Sequence, residues 1–461
     1  MSRFIDRVRE LEFLENNFSE QKSLVVIYGR RRVGKTELVK KFSEDKNLIY
    51  FLADKRGTLI NAERFATVTS KHFGDVPPRV ENFDDVFKYI SSRTGSDKAV
   101  VVIDEFSYLV EKDSSIPSVF QLIWDEIVRE GMMLILLGSS ISMMEKGVLS
   151  YKSPLYGRRT GQWKVTPLPF KEVTKFHKVN IEKAVEVYAV FGGIPMYLNY
   201  FNPEKDIFSN VEDRVFRKGS VLNEEVEFLL REELSEYSSY LSILEAIAHG
   251  RTRIVEIADY SKIQAKDLPK YLNNLIKLEV IKKEHPVTEK IKTKKTVYKI
   301  SDNFFRFYFK FVHPYKSDLE IGKFDRVKSK LRDDFNSFLG ETFEDISREF
   351  ILETYKKGVL PFDISKIGKW WQRKVEVDIV TLGERDKEKE VGFFECKWSA
   401  LSENEANRII EKLKSKAKTV NWHKDNREDY YGIIAKRVKG KQNLKNKGYL
   451  VFDLKDFDEL T

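Results

Sequence analysis

Two groups of residues in this 461-residue sequence have types and spacings that suit defined chemistry. The first is Gly29-Arg30-Arg31-Arg32-Val33-Gly34-Lys35-Thr36, which follows the apolar run Ser23 to Tyr28 and leads into a helical pattern. It fits G-x-x-x-x-G-K-[ST] between a strand and a helix, the context that pattern requires. In such a loop Gly29 and Gly34 let backbone N–H groups wrap a β-phosphate. The helix start aims its positive end inward, Lys35 reaches the β and γ oxygens, and the Thr36 hydroxyl would ligate Mg²⁺. Val33 and the glycines serve the loop itself. Arg30, Arg31 and Arg32 either add positive charge near the phosphates or project to solvent.

The loop needs a partner, and the buried run Val100 to Ile103 ends in Asp104-Glu105. Asp104 suits the Mg²⁺-holding position, and Glu105 suits orienting or deprotonating an attacking water, so hydrolysis is expected in addition to binding. No N-K-x-D guanine motif is present, which makes ATP the expected nucleotide.

The second group is Asp378 on a strand pattern, then Glu395-Cys396-Lys397 closing the next. A period of two puts Glu395 and Lys397 on one face and Cys396 on the other. An acid followed by E-x-K across a hairpin suits a metal-dependent nuclease. Asp378 and Glu395 would hold Mg²⁺, and Lys397 would orient water and offset charge. Glu344, on the preceding helical pattern, completes the expected metal set.

These groups need elements to hold them. Up to about residue 165, short β-branched runs alternate with helical patterns, which predicts a parallel sheet covered by helices. Residues from Lys171 to about Glu236 show no strand run and are expected to form a helical subdomain. From Tyr240 to Ile300 the order is helix, helix, helix and two short strands, a winged-helix pattern. On its third helix Lys270, Asn273, Asn274 and Lys277 lie on the polar side, and the wing carries Lys290, Lys292, Lys294 and Lys295. Such side chains suit phosphates and base edges, or else a solvated loop. The run Phe304 to Phe311 is expected to be a buried helix, because aromatic side chains dominate packing. A charged connector is expected up to Asp334, followed by helix, two strands, helix and two strands.

A net charge of +9, with 41% apolar and 33% charged residues, fits a multidomain protein with a cationic bias, and makes nucleic acid a reasonable partner. The charge-free stretch Gly131 to Met144 is about fourteen residues long, short of the roughly 20 a membrane span needs. Residues 1–18 lack the apolar centre of a secretory signal. The single cysteine, Cys396, excludes an intrachain disulfide, so a cytoplasmic location is expected.

Several segments carry a family resemblance: FIDRVRELEFLE, GRRRVGKT, VVIDEF, LLGSSISMM, PLYGRRTGQWKVTPL and FGGIPMYL. Across its first half the chain resembles the AAA+ ATPases, specifically a group of archaeal ATPases close to the STAND signalling class. The resemblance implies a polar sensor at Ser139 or Ser140, and γ-phosphate-sensing arginines at Arg158 and Arg159. Those arginines could act across a subunit boundary in an ATP-dependent homo-oligomer. Asp6 stands where relatives usually have glycine, and a second sensor arginine has no clear match after Pro195. The tail resembles the PD-(D/E)XK restriction-endonuclease-like superfamily, with Val377 in place of the name-giving proline.

The expected architecture is α/β. A P-loop AAA+ ATPase core spans 1–165, a helical lid 166–236, a winged helix 237–312, a connector 313–334 and a nuclease-like domain 335–461. The expected function is ATP-driven and DNA-directed, with cleavage by the tail left open. The alternatives are a signalling or scaffold ATPase with an inactive interaction module, and a transcription regulator that uses the winged helix without cutting.

Overall fold

The computed structural model describes residues 4–5, 7–95, 97–290 and 293–460; Asp6 and Lys292 lie outside the described residues. The chain forms two compact units, Met1–Leu168 with Ile194–Met196, and Pro169–Gly193 with Tyr197–Thr461.

The first unit is built on β1 (Ser23–Tyr28), β2 (Asn47–Leu52), β3 (Ala99–Asp104), β4 (Met132–Gly138) and β5 (Gly161–Lys164). They form one sheet in the order β2-β3-β4-β1-β5, parallel throughout. Strands β3 and β4 are buried along their whole length, which is why they read as unbroken apolar runs. Strand β2 is an addition to the expected set; it is only partly buried and carries Tyr50. Phe51, Phe65, Phe83, Phe87 and Phe120 pack one face of the sheet against the helices Thr58–Phe73 and Phe83–Thr94.

In the second unit, residues 169–193 and 197–236 hold helices, with no strand among the described residues. Three helices follow, Tyr237–Ala248, Ile254–Ser261 and Leu268–Lys277, and then the antiparallel hairpin β6 (Ile281–Glu284) and β7 (Val297–Ile300). The aromatic run forms the helix Asn303–Phe311, capped by Asp302, whose carboxylate accepts from the Phe305 N–H. Phe304, Phe305, Phe307 and Phe311 are buried there, and Tyr308 donates its hydroxyl to Glu227 at 3.0 Å.

The charged stretch before Asp334 differs from a plain connector. From Asp325 it already belongs to a single 32-residue helix, Asp325–Lys356. Val327, Leu331, Phe335 and Phe338 recur every three or four residues on its buried side, so the helix extends as far as that stripe does.

Behind this helix lies a mixed sheet of β8 (Lys366–Gln372), β9 (Val375–Arg385), β10 (Glu388–Leu401), β11 (Arg427–Val438) and β12 (Leu450–Asp453). Its order is β12-β11-β10-β9-β8, antiparallel across β8-β9-β10 and parallel across β10-β11-β12. Strand β8 is an addition to the expected set. Its run Lys366-Ile367-Gly368-Lys369-Trp370-Trp371 alternates too weakly to be read as a strand without its neighbour. Among the described residues no helix is long and apolar enough to cross a membrane.

Candidate functional site

In the first unit the candidate residues gather at the carboxyl end of the parallel sheet, where open α/β sheets bind ligands. Gly29 follows β1 directly, and a Cβ there would come within 2.3 Å of the Val165 carbonyl oxygen, so no larger residue fits. Arg32 and Gly34 turn the loop with φ of 71° and 92°. The helix Lys35–Phe42 then starts directly from Gly34. Lys35 is buried and lies back across the loop, its ammonium donating to the Gly29 and Arg30 carbonyls at 2.9 Å each.

Arg30 is buried, so it does not project to solvent. Arg31 is half-buried and donates to the Tyr108 hydroxyl at 3.0 Å. Arg7 was not singled out in the sequence. It is buried, and its guanidinium donates to the carbonyls of Val33 (3.0 Å) and Thr166 (2.8 Å) while pairing with Glu10. It thereby ties the phosphate loop to the segment after β5.

The loop meets β3 through Thr36, whose hydroxyl donates to Asp104 Oδ2 at 2.8 Å. Tyr50 on β2 donates to the same oxygen at 2.5 Å, and burial followed by this bond raises its phenol pKa. Glu105 sits at φ 54°. Its Oε1 accepts the Ser139 hydroxyl at 2.7 Å. Because Gly138 pairs with Tyr28, Ser139 leaves β4 level with the start of the phosphate loop. A hydroxyl beside a carboxylate is a hard oxygen pair suited to Mg²⁺, which takes few protein ligands together with substrate phosphates, so Thr36 and Asp104 fit that ion.

Arg158 and Arg159 are not part of this cluster. Among the described residues Arg158 pairs with Asp125 at 3.0 Å and donates to the Pro154 carbonyl. Arg159 donates to Gln162 and stacks on Tyr156.

In the second unit Asp378 and Glu395 stand one step beyond the last paired residues of β9 and β10, Ile379 and Phe394. The Cys396 N–H donates to Asp378 Oδ2 at 2.9 Å. Lys397 lies 3.1 Å from Glu395 and 3.6 Å from Asp378. Burial works against the Lys397 ammonium, but the two carboxylates outweigh it and raise its pKa. Lys416, on the helix Glu403–Ala417, holds the other Glu395 oxygen at 2.6 Å. Cys396 is buried, and burial joined by the charge of Asp378 pushes its thiol well up.

Glu344 does not close onto the other two acids. It pairs with Lys369 of β8 at 3.1 Å, although burial first and the Asp378 charge second raise its pKa. Among the described residues no three His, Cys, Asp or Glu side chains gather closely enough to hold a metal ion. The donor chemistry still suits Mg²⁺. The place between Asp378 and Glu395 already accommodates the positive charge of Lys397. Lys369 and Lys416 were missed in the sequence, since one lies on an unread strand and the other is one of many lysines along an exposed helix.

Of the helix-hairpin residues, Lys270 pairs with Glu236, and Lys295 pairs with Glu289. Asn274 turns inward, donating to the Tyr240 hydroxyl at 2.7 Å, and is not presented to a base edge. Asn273, Lys290 and Lys294 are exposed.

Residues 4–201 match a family described as an ATPase domain predominantly from Archaea. Residues 308–409, which include Glu344, Asp378, Glu395 and Lys397, match a family of archaea bacterial proteins of unknown function. An uncharacterized protein of Methanocaldococcus jannaschii is 39% identical over 457 residues, 98% of this chain and 100% of the relative. The chain belongs to this archaeal ATPase family. An uncharacterized ATP-binding protein of the same organism is 56% identical over 46 residues, 10% of this chain and 78% of that protein. Among solved structures, a Walker-type ATPase of Pyrococcus abyssi aligns at a TM-score of 0.50 and 22% identity, covering 66% of this chain and 96% of that one. At that identity the likeness is one of fold, and it agrees with the parallel five-stranded sheet.

Proposed function

We propose that the chain is a Mg²⁺-dependent ATPase whose second unit binds DNA and cleaves it. The observation that carries the ATP part is the joining of Thr36 to Asp104 and of Glu105 to Ser139 at the carboxyl end of the sheet. Lys35 and the loop N–H groups bind the phosphates. Glu105, oriented by Ser139, takes the proton of the attacking water. Thr36 and Asp104 would hold Mg²⁺, which would supply positive charge to the phosphate oxygens. Arg158 and Arg159 sense the γ-phosphate of a neighbouring copy, which makes the active form an ATP-dependent homo-oligomer. Their location away from their own Asp104 cluster supports this reading.

The three helices and hairpin from Tyr237 to Ile300 support a winged helix, with Lys270, Asn273 and Lys277 toward the phosphates. The order of helix, β9, β10, helix, β11, and the acids that flank Lys397, support a PD-(D/E)XK nuclease. Asp378 and Glu395 would hold Mg²⁺, which would polarise the scissile phosphate, and Glu344 would join them on leaving Lys369. Lys397 orients the water and offsets charge on the departing oxygen. One observation favours a second reading, a signalling or scaffold ATPase with a silent tail. Glu395 is held by two lysines and Glu344 by a third, which is how a purely structural ion-pair network would look.

The deciding experiment incubates the full chain, Lys397→Ala and Lys35→Ala with linear, circular and single-stranded DNA and Mg²⁺ or Mn²⁺, with and without ATP. Cleavage lost in Lys397→Ala supports the nuclease, and a further dependence on Lys35 supports ATP control. ATP turnover without any cleavage supports the silent tail.

A further inference from the structure

Within the second unit, a cavity of about 690 Å³ opens between the β6–β7 hairpin and strand β8, lined by Lys283, His285, Val287, Lys290, Lys366 and Trp371 among others. Ligand pockets commonly run from about 300 to 1,000 Å³, so the space suits a nucleotide-sized guest. We infer that this cleft takes an unpaired base and its flanking phosphates at the end of a polynucleotide strand, beside the Asp378–Glu395 site. The inference rests on the proposal that the second unit is directed to DNA.

The cleft is one built structure. The Val287 N–H donates to the Lys369 carbonyl at 3.0 Å, and Gly368 lies directly under Val287, where an added Cβ would come within 3.3 Å of it. Val287 and Trp370 share a core cluster, so the hairpin wall and the strand wall are packed together. Strand alternation then sends the two adjacent tryptophans apart. Trp370 is buried in that core, and Trp371 lines the cleft and is half-buried. A partly accessible aromatic side chain in a cationic groove is suited to binding single-stranded bases by stacking.

Charge separates the cleft residues into two groups. The wall acid Glu284 is met by Lys282, Lys299 and Arg348, the first and last of which also pair with Asp345, and Lys369 pairs with Glu344. Glu289, the other acid in the wall, is answered by Lys295. Lys283, Lys290 and Lys366 are exposed and form no ion pair among the described residues, so their charge is free for phosphates from both walls. A second cavity of about 530 Å³ shares Lys283 with the first and adds Arg253 and Lys294. Its one acid, Glu256, is taken up by the backbone N–H groups of Thr252 and Arg253, so lysines and an arginine line both cavities, which suits a strand better than a free nucleotide. A duplex keeps its bases stacked inside, so Trp371 selects an unpaired end. Lys369 in the cleft wall touches Glu344 and leads to the carboxylates.

The test measures binding of a labelled single-stranded 12-mer, a blunt duplex of equal length and free dTMP to the full chain in EDTA, where no divalent-metal chemistry runs. Trp371→Ala is expected to weaken single-strand binding about ten-fold or more, while Trp371→Phe stays within about three-fold of the parent. Lys366→Glu, on an exposed residue where substitutions usually cost little stability, is expected to weaken it and flatten its salt dependence. Duplex binding should change little in each variant. Unchanged single-strand affinity in Trp371→Ala and Lys366→Glu, equal losses for duplex and single strand, or full displacement of the 12-mer by micromolar dTMP overturns the inference. Cleavage is read separately with Mg²⁺. If single-strand binding depends on Trp371 but no cleavage occurs, the nuclease reading falls and the cleft stands. If cleavage occurs with Trp371→Ala indifferent in both assays, the cleft falls alone.

Discussion

The Thr36 hydroxyl donates to Asp104 Oδ2 at 2.8 Å, joining the start of the first helix after the phosphate loop to the carboxyl end of β3. With Tyr50 on the same carboxylate, Asp104 is oriented from two sides. Asp104→Asn and Thr36→Ala are therefore expected to lower Mg²⁺-dependent ATP turnover by about 100-fold while retaining nucleotide binding in EDTA. Turnover assays beside nucleotide titrations check this, and full activity in Asp104→Asn removes it from the metal position.

Glu105 and Ser139 form a second pair at 2.7 Å, and they should separate in their kinetics. Glu105→Gln is expected to bind ATP but turn it over about 100- to 1,000-fold more slowly, as loss of a general base does. Ser139→Ala removes only the orienting bond, so about ten-fold in kcat with little change in KM is expected, and Ser139→Thr should restore most of it. A large rise in KM in Ser139→Ala would instead place Ser139 in substrate binding.

The Lys369–Glu344 pair is mostly buried, with Asp378 close enough to raise the Glu344 pKa. Lys369→Met leaves that acid buried without its cation, which is expected to cost about 3 kcal/mol in denaturant unfolding of the second unit. The double variant Lys369→Met with Glu344→Leu should recover most of the loss. No recovery would mean that Lys369 acts through packing and not through its charge.

Glu349 accepts the Phe170 N–H at 3.1 Å, and burial pushes its carboxyl up to about 7 despite that bond. The folded state thus holds a proton that the unfolded chain releases near pH 4.5. Stability from this group is present at acid pH, declines as pH rises from about 4.5 to 7, and is fully lost above that. The whole change is about 3 kcal/mol. Glu349→Gln keeps an acceptor for Phe170 and removes the titration, so its unfolding free energy should exceed the parent's at pH 8 and match it near pH 4.5. Parallel pH curves for the two proteins would show that Glu349 ionises normally.

Local pattern carried much of this protein. The phosphate loop, its acid pair and the E-x-K strand were legible because each depends on neighbours in sequence and on the period of one element. Gly29 beside Val165 is the packing counterpart of that pattern. Strands β2 and β8 were not legible. Lys369 is a polar interruption of β8 whose burial becomes favourable only once Glu344 stands opposite it, and the half-buried Tyr50 of β2 gains its partner only from Asp104 on β3. For the same reason Asn274, read as a polar-face residue, turns inward to Tyr240.

Residue types and spacing determined that a phosphate loop, a carboxylate partner and an acid–E-x-K hairpin exist in this chain, since those are properties of short segments. Tertiary structure alone decided what each touches. It buried Arg30, drew Arg7 under the loop, set Lys416 and Lys397 on Glu395 and gave Trp371 a cleft. These contacts join residues on different elements, and the free energy of burying a charge or a ring depends on the partner that folding brings to it.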